Sequence, residues 1–347
     1  MIINIAFYRK YRPHSFKEVL GQDHIVKALS GAIDKDQVFH AYLFSGPRGT
    51  GKTSMARIFA REIGTTEKDI YELDAASNTS VEDIRELTEG ARTLPFESKR
   101  KVYIIDEVHM LSKSAFNAFL KTLEEPPAHV VFILATTEMH KLPETVISRC
   151  QSFAFRKPSN ETLKKNIEKV AKAEGLEIDK GSADLIAMLG DGSFRDTLGI
   201  FEQVSNIAKS KKIKIEDVEA ITGSPRGEII HSLIKSILDK ELETAIRLLR
   251  KIVEGNIDMK IFLKMLLRDL RLVMLLKFAP EMEKEILSEV SDEEAKVFKD
   301  LKSHKNIAIL PQALKELLTA SGEIGHSIIP ELPLELALIR LLGQKDI

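Results

Sequence analysis

The feature that most constrains this chain is the glycine-rich stretch GPRGTGKTS at residues 46–54, which fits the pattern G-x-x-x-x-G-K-[ST]. It follows the apolar run AYLF and precedes a helix-like segment, so we expect a buried strand that turns into a helix. Its glycines let backbone N–H groups point inward, and the helix start adds positive potential. The stretch therefore predicts a phosphate-binding loop formed by Gly46, Pro47, Arg48, Gly49, Thr50, Gly51, Lys52, Thr53 and Ser54.

A second motif, KVYIIDEVH at residues 101–109, supplies the carboxylates that such a loop needs. Its apolar strand presents Asp106 and Glu107 at the carboxyl end, the sheet edge where α/β proteins bind ligands. Without the loop upstream, a solvated Asp-Glu turn would be the better interpretation. With it, we expect Lys52 to reach the β- and γ-phosphates of a bound nucleotide, Thr53 and Asp106 to bind Mg²⁺, and Glu107 to orient and deprotonate the attacking water.

Two further segments carry weaker signals. Thr136 and Thr137 end the next apolar strand, which would place a hydroxyl or backbone group near the γ-phosphate, although threonines also simply finish β-branched strands. Arg195, in GDGSFRDTL at residues 190–198, lies early in a predicted helix, and its guanidinium suits a phosphate group. The alternative for Arg195 is a surface arginine paired with a neighbouring aspartate.

Three other residues are of types that often serve in active sites, but we expect none of them to act in the phosphate site of its own chain. His109 has no second metal ligand nearby, so we expect a polar histidine with satisfied hydrogen bonds. Cys150 is the only cysteine, which excludes an internal disulfide and a cysteine-based zinc site, and we interpret it as a small buried apolar side chain. Its neighbour Arg149 should lie away from the phosphate loop of its own chain if the sheet closes as expected.

The fold class follows from the order of the apolar runs. Up to about residue 155, runs rich in Val, Ile, Tyr and Phe alternate with helix-like stretches, which predicts a doubly wound α/β domain with a parallel sheet. The strand candidates are HAYLF, DIYELD, KVYIID, VVFILATT and CQSFAF. Strand-like runs then disappear. We predict a nucleotide-binding domain at 1–158, a small helical domain at 159–222 and an all-α domain at 223–347.

The composition sets limits on partners and location. The formal net charge is −1, so contact with nucleic acid would have to come from a local patch or from geometry. No apolar run approaches the roughly 20 residues of a membrane span, and the start lacks a signal peptide's apolar stretch. We therefore expect a cytoplasmic protein without membrane contact.

In this order, the motifs resemble those of the AAA+ ATPases, and more closely those of the γ/τ subunits of bacterial DNA polymerase III. The resemblance is carried by YRKYRPHSFKEVLGQDHIVKALS, HAYLFSGPRGTGKTS, ELDAASNTSVEDIRELTE, KVYIIDEVHMLSKSAFNAFLKTLEEPP, FILATTEMHKLPETVISRC and GDGSFRDTL. It implies a RecA-like nucleotide domain, a helical lid and a collar that joins subunits in a ring. It also implies an ATP-driven clamp loader that works with δ and δ′ subunits and other copies of itself. That assembly opens the β sliding clamp and closes it around primer-template DNA, which it grips through the DNA backbone.

The resemblance also assigns residues to roles. Lys52 and Thr53 match the Walker A motif, Asp106 and Glu107 the Walker B pair, and Arg195 the sensor 2 arginine of the lid. Thr136 and Thr137 fall in the sensor 1 segment, and which of them is the sensor stays open. Arg149 matches an arginine that reaches into the neighbouring subunit's site. The segment KYRP, residues 10–13, together with Val19 resembles the family's adenine-side contact. The residues expected to make this contact are Tyr11, Arg12, Pro13 and Val19.

This chain departs from the family pattern clearly at one place and more mildly at residues 78–80, where relatives often carry a basic residue near DNA, and two other functions stay open. Relatives carry a cysteine-rich zinc-binding insert after the Walker A helix, whereas ARIFAREIGTTEKDIYELD runs straight across here, so we expect no structural zinc. The sequence stops at the predicted collar, as expected of a γ-like chain or a truncated τ-like one. One alternative is a related DNA remodeller, such as a branch-migration motor that forms closed homohexamers. The other is a ring subunit that serves only as a scaffold, against which the complete set of ATPase residues argues.

Overall fold

The structure, a computed structural model, describes residues 5–77, 80–208, 210–255, 257–288, 290 and 292–343. The chain divides into two compact units. Unit 1 comprises residues 1–167 and 190–199, and unit 2 comprises residues 168–189 and 200–347. The three domain ranges predicted from the sequence stay a prediction.

Unit 1 is built on a five-stranded sheet in which every neighbouring pair is parallel. The strands are β1 (Ala41–Ser45), β2 (Ile70–Asp74), β3 (Lys101–Asp106), β4 (Val130–Thr136) and β5 (Gln151–Ala154), in the spatial order β2-β3-β4-β1-β5. Each coincides with one of the apolar runs predicted to form a strand, and only β1 extends beyond its run, by one residue. The predicted α/β class with a parallel sheet is therefore confirmed.

Helices cover both faces of this sheet, which explains why the inner strands β1, β3 and β4 are almost continuously apolar. They are α2 (Asp23–Asp34), α3 (Lys52–Glu62), α4 (Val81–Arg92), α5 (Lys113–Glu124) and α6 (Glu144–Ile147), and the short helix α1 (Phe7–Lys10) precedes them in the chain. Along β3, Val102 and Ile104 face a core that contains α2 and α3 residues. Tyr103 and Ile105 face the opposite core, which contains residues of α4 and α5.

Polar capping residues set the ends of two of these helices. Ser80 Oγ accepts from Asp83 N–H at 3.1 Å and Asp83 Oδ2 accepts from Ser80 N–H at 3.1 Å, a capping box that starts α4. Ser112 Oγ accepts from Ala115 N–H at 3.2 Å at the start of α5. The prolines at 126 and 127 stop α5.

The remaining elements are mainly helical. They are α7 (Asn160–Ala173), β6 (Glu177–Ile178), α8 (Lys180–Leu189), α9 (Phe194–Ile207), β7 (Lys212–Ile213), α10 (Ile215–Thr222), α11 (Gly227–Leu238), α12 (Leu242–Glu254), α13 (Met259–Phe278), α14 (Glu283–Ser288), α15 (Asp292–Lys302), α16 (Leu310–Ile324) and α17 (Leu332–Leu342). The expectation that strands end near residue 155 is wrong in one detail, because β6 and β7 form a parallel pair. Strands of two residues are too short to leave a periodic signal in the sequence.

The outer helix α17 is apolar on two sides. Leu334, Leu338 and Leu341 are buried against its neighbours. Leu332, Leu336 and Ile339, one helical face of i, i+4 and i+7 spacing, remain 39%, 40% and 47% exposed. Within the described part of the chain, no helix is both long enough and apolar enough to cross a membrane.

Candidate active site

The glycine-rich stretch forms the connection between β1 and α3, and two of its glycines are required by close backbone packing. Gly46 has a φ of 145°, and a Cβ there would lie 2.4 Å from the carbonyl oxygen of Phe155. Gly49 has a φ of 74°, and a Cβ there would lie 1.9 Å from Ser193 Oγ. No Cβ fits at either position, so the tight conformation of the loop requires these two glycines of the sequence pattern.

Lys52, the first residue of α3, points its ammonium group back into the loop. Nζ donates to the carbonyl oxygens of Gly46 at 2.8 Å and Pro47 at 3.0 Å, and the residue is only 6% exposed. Burial lowers the pKa of Lys52, the carboxylates Glu107 and Asp106 act against that shift, and the charge of Arg195 adds to it. The residues predicted from separate motifs therefore act on one another electrostatically.

Thr53 and Asp106 meet directly. Thr53 Oγ1 donates to Asp106 Oδ2 at 2.5 Å, joining the first turn of α3 to the end of β3. Both groups are hard oxygen ligands of the kind Mg²⁺ takes alongside nucleotide phosphates, so the pair fits that ion. Among the described residues, no group of three or more His, Cys, Asp or Glu could hold a metal ion by itself. The absence of structural zinc stays a prediction.

Glu107 follows directly and lies in the left-handed backbone region, with a φ of 47°. Such a conformation is strained for a residue with a side chain and is typical of functional sites. Its Oε2 accepts from Thr137 N–H at 3.2 Å and from Thr137 Oγ1 at 3.0 Å. The carboxylate is therefore held by the end of β4.

The two threonines left open by the sequence have different surroundings. Thr136 is fully buried, and its Oγ1 accepts from Glu138 N–H at 3.0 Å and lies 3.0 Å from His109 Nδ1. Thr137 is half-buried and faces Glu107. Of the pair, it is Thr137 that the structure brings to the carboxylate.

Arg195 reaches this site through the loop that precedes α9. Phe194 N–H donates to the carbonyl oxygen of Gly49 at 2.9 Å, which ties the start of α9 to the phosphate loop. The Arg195 guanidinium carbon lies 5.5 Å from the centre of the Tyr8 ring. Sequence reasoning missed Tyr8 and also Ser193, although Ser193 caps α9 through Asp196 N–H at 3.2 Å and could have been read as an S-x-x-D signal.

The four residues predicted on the adenine side lie in the N-terminal segment of unit 1. Burial lowers the pKa of Arg12, and so does the charge of Arg57 on α3, while Glu72 opposes them and Arg195 adds to them. Val19 packs against the core that contains α3. Tyr11 stacks edge-on with Phe7 at 5.8 Å and Pro13 is half-buried. The structure thus brings Arg12 and Val19 toward α3.

Arg149 is not part of this constellation. In the parallel register, Gln151 pairs with Tyr42, so the start of β5 lies about 13 Å before Gly46 along β1, and Arg149 precedes it by two residues. Its guanidinium donates to Glu124 Oε1 at 2.5 Å and to Thr145 O at 2.7 Å. The side chain therefore lies toward the opposite edge of the sheet from the loop of its own chain, as the sequence analysis expected.

Cys150 and His109 differ in their surroundings. Cys150 is half-buried against the core on the α5 side, and burial raises the pKa of its thiol to about 12. The His109 side chain is 6% exposed and has polar partners at both ring nitrogens.

The parallel sheet in the order β2-β3-β4-β1-β5, with a Walker A loop after β1 and paired carboxylates after β3, defines an AAA+ protein. A solved structure described as the Thermotoga maritima RuvB Holliday junction branch migration motor shares this fold. It is 24% identical, with a TM-score of 0.53, over 66% of this chain and 79% of that one.

Comparisons with known proteins also identify the family within the AAA+ class. Residues 21–78 and 65–159 match the family described as DNA polymerase III, delta subunit, and residues 213–347 match DNA polymerase III subunits gamma and tau domain III. The subunit gamma of Buchnera aphidicola is 35% identical, covering 97% of both chains. The subunit tau of Bacillus subtilis is 38% identical over 97% of this chain and 63% of its own length. The chain belongs to the DNA polymerase III subunit gamma/tau family, and it spans less than two thirds of some relatives.

Proposed function

We propose that this chain is an ATPase subunit of a DNA polymerase III clamp loader, which uses ATP binding and hydrolysis to open the β sliding clamp and load it onto primer-template DNA. The observation that carries the proposal is the convergence of Lys52, Thr53, Asp106 and Glu107 at one edge of the sheet. A chain that served only as a scaffold would have no chemical need for all four. Cytoplasmic location is part of the proposal, since the bacterial chromosome is replicated there.

Each residue of the site has a distinct task in this proposal. The loop amides and Lys52 bind the triphosphate, while Thr53 and Asp106 hold Mg²⁺, which neutralises charge on the phosphates. Glu107 orients a water and takes its proton. The two Thr137 donors fix the Glu107 carboxylate, and we assign the sensor 1 role to Thr137 on that basis. Arg195, at the start of α9, supplies positive charge that acts on Lys52.

A complete site would require a second subunit. Arg149 lies too far along the sheet to serve the loop of its own chain, yet its guanidinium is partly exposed, with 34% of the side chain accessible. We propose that it completes the site of a neighbouring subunit, where an arginine supplied in trans stabilises charge on the transferred phosphoryl group. The isolated chain is then expected to hydrolyse ATP only slowly.

Unit 2 offers a surface on which subunits could associate. The exposed face of α17 formed by Leu332, Leu336 and Ile339 continues into Ile328 and Ile329, which are 99% and 48% exposed. Apolar surface of this kind at the end of a helical unit is typical of protein contacts. In our proposal this surface, called here the α17 face, contacts δ, δ′ and other copies of the chain.

DNA would be held by geometry rather than by strong positive charge. The formal net charge of −1 gives the single chain little long-range attraction for a polyanion. A ring of subunits that contacts phosphates in series would bind primer-template DNA with little sequence preference and with an affinity that falls as salt rises.

The test is the ATPase rate of the assembly formed with δ and δ′, measured alone, with clamp, with primer-template DNA, and with both. The proposal predicts that both together stimulate hydrolysis well beyond either one, and that Lys52→Ala removes the stimulated rate. A rate that does not respond to clamp would contradict it. A closed homohexamer stimulated by duplex DNA alone would favour the branch-migration alternative, and weak nucleotide binding by the intact chain would favour a scaffold.

A further inference from the structure

The buried histidine after β3 links the two loops that carry Glu107 and Thr137. His109 lies in the turn Val108–Met110, with 6% of its side chain exposed. Its Nε2 lies 3.1 Å from Glu138 Oε2, and its Nδ1 lies 3.0 Å from Thr136 Oγ1 and 3.4 Å from Glu107 Oε2. One ring therefore contacts both residues that flank Thr137 and approaches the carboxylate that Thr137 binds.

The Glu138 carboxylate defines the direction of one of these hydrogen bonds. A hydrogen bond from Lys141 lowers the pKa of Glu138, so this carboxylate is an ionised acceptor and His109 Nε2–H donates to it. At Nδ1, the ring and the Thr136 hydroxyl are hydrogen-bonded at 3.0 Å. Thr136 Oγ1 also accepts from Glu138 N–H at 3.0 Å, so both polar partners of this hydroxyl belong to the cluster.

In this arrangement the two adjacent threonines bind different partners. With the Thr136 hydroxyl engaged by the histidine, the end of β4 can present only Thr137 N–H and Oγ1 to Glu107, at 3.2 and 3.0 Å. Neighbouring residues at a strand end point in opposite directions, so a one-residue shift of this segment would replace one threonine with the other. His109 opposes that shift by holding Thr136 on one side of Thr137 and Glu138 on the other.

We propose that His109 is a positioning residue, which fixes the end of β4 so that Thr137 holds the carboxylate of Glu107. Its effect on catalysis rests on the proposed ATPase function, whereas its effect on the geometry does not. The two effects are therefore tested separately.

The geometric test is amide hydrogen exchange in the full chain without nucleotide. His109→Phe keeps the ring volume and removes both polar atoms, so the Thr137 and Glu138 amides should exchange at least about tenfold faster, while those of Val131 and Ile133 in the same strand stay unchanged. His109→Asn, which keeps a polar atom near the Nδ1 position, should restore protection better than His109→Gln. The matched control is His326→Phe, at an exposed histidine of unit 2.

The result that overturns the inference is wild-type protection of Thr137 and Glu138 in His109→Phe. If His109→Phe unfolds, the test rests on His109→Asn and His109→Gln. Equal protection of the Thr137 and Glu138 amides in these two variants would also overturn the inference. Faster exchange throughout β4 in all three variants would indicate a purely structural histidine.

The catalytic test uses the assembly with δ, δ′, clamp and primer-template DNA. His109→Phe should lower kcat about 10- to 100-fold while the affinity for a fluorescent ATP analogue changes less than about twofold. The double variant His109→Phe/Thr137→Ala should be no slower than Thr137→Ala alone, because both changes disrupt one unit. Additive losses would contradict a positioning role. If the wild-type assembly does not hydrolyse ATP, the proposed function fails and the exchange measurement still decides the geometry.

Discussion

Thr53 Oγ1 lies 2.5 Å from Asp106 Oδ2. This hydrogen bond joins α3, the helix that follows β1, to the end of β3, which lies two positions from β1 in the sheet. We expect Asp106→Asn to weaken Mg²⁺ binding, because the amide supplies a neutral ligand where the carboxylate supplies charge. A titration of ATPase rate against Mg²⁺ should move to higher concentration and reach a lower plateau. Asp74→Asn is the matched control, since Asp74 pairs with Asp106 in the register of β2 and β3 and is bonded instead to its own turn. Equal effects of the two substitutions would contradict this assignment.

Lys52 and Glu107 should separate binding from chemistry. Lys52→Ala removes the ammonium group that would pair with the phosphates and is expected to weaken ATP binding by roughly 2–5 kcal/mol. Glu107→Gln keeps the shape of the side chain and removes its basicity, so ATP should stay bound while hydrolysis slows about 10²- to 10⁴-fold. Equilibrium binding and single-turnover kinetics distinguish the two outcomes. Tight binding by Lys52→Ala or rapid turnover by Glu107→Gln would be incompatible with the proposed roles.

Local motifs made much of this site predictable, and tertiary contacts account for what was not. The roles expected of Lys52 and Thr53 follow from a contiguous pattern, and the strands were recognisable because the sheet is covered on both faces. The sequence could not decide between Thr136 and Thr137, since two adjacent threonines at a strand end differ only in the direction in which their side chains point. The approach of Tyr8 to Arg195 joins residues almost 190 positions apart and leaves no local signal.

Asp69 predicts acid sensitivity outside the active site. Burial alone would raise the pKa of this carboxyl, but the N–H groups of Glu97 and Phe96 and the hydrogen bonds from Ser98 outweigh burial and bring the pKa to about 2. A lowered pKa stabilises the fold above the ordinary value near 4, and this contribution is lost as pH falls from about 4 toward 2. Asp69→Asn should lower the free energy of unfolding at pH 7 by roughly 1–3 kcal/mol, with a smaller difference near pH 2. Chemical denaturation at both pH values measures it, and a difference that does not shrink in acid would contradict the assignment.

The α17 face should matter for assembly and not for folding. Leu336→Asp places a charge in the middle of a surface that is already 40% exposed, so the free chain should keep its thermal stability. The complex with δ and δ′ should dissociate more readily, because burying an unpaired carboxylate in an interface is unfavourable. Native mass measurements report the composition, with Ile207→Asp, at an apolar residue that is 64% exposed in α9, as the control. An intact complex with Leu336→Asp would place the contact elsewhere.

Arg149 gives the sharpest test of a shared site. Arg149→Ala should leave ATP binding by the chain nearly unchanged and lower assembly-dependent hydrolysis by about 10³- to 10⁵-fold, since the guanidinium would act on a neighbour's nucleotide. Glu124→Ala removes only its ion-pair partner, and Arg100→Ala removes another partly buried arginine that is paired with an aspartate. Neither control should produce the defect. In mixed assemblies, a subunit with Arg149→Ala and one with Lys52→Ala should restore part of the rate, because some interfaces then combine an intact loop with an intact arginine. If the mixtures never exceed the sum of the separate variants, Arg149 acts within its own chain or not at all.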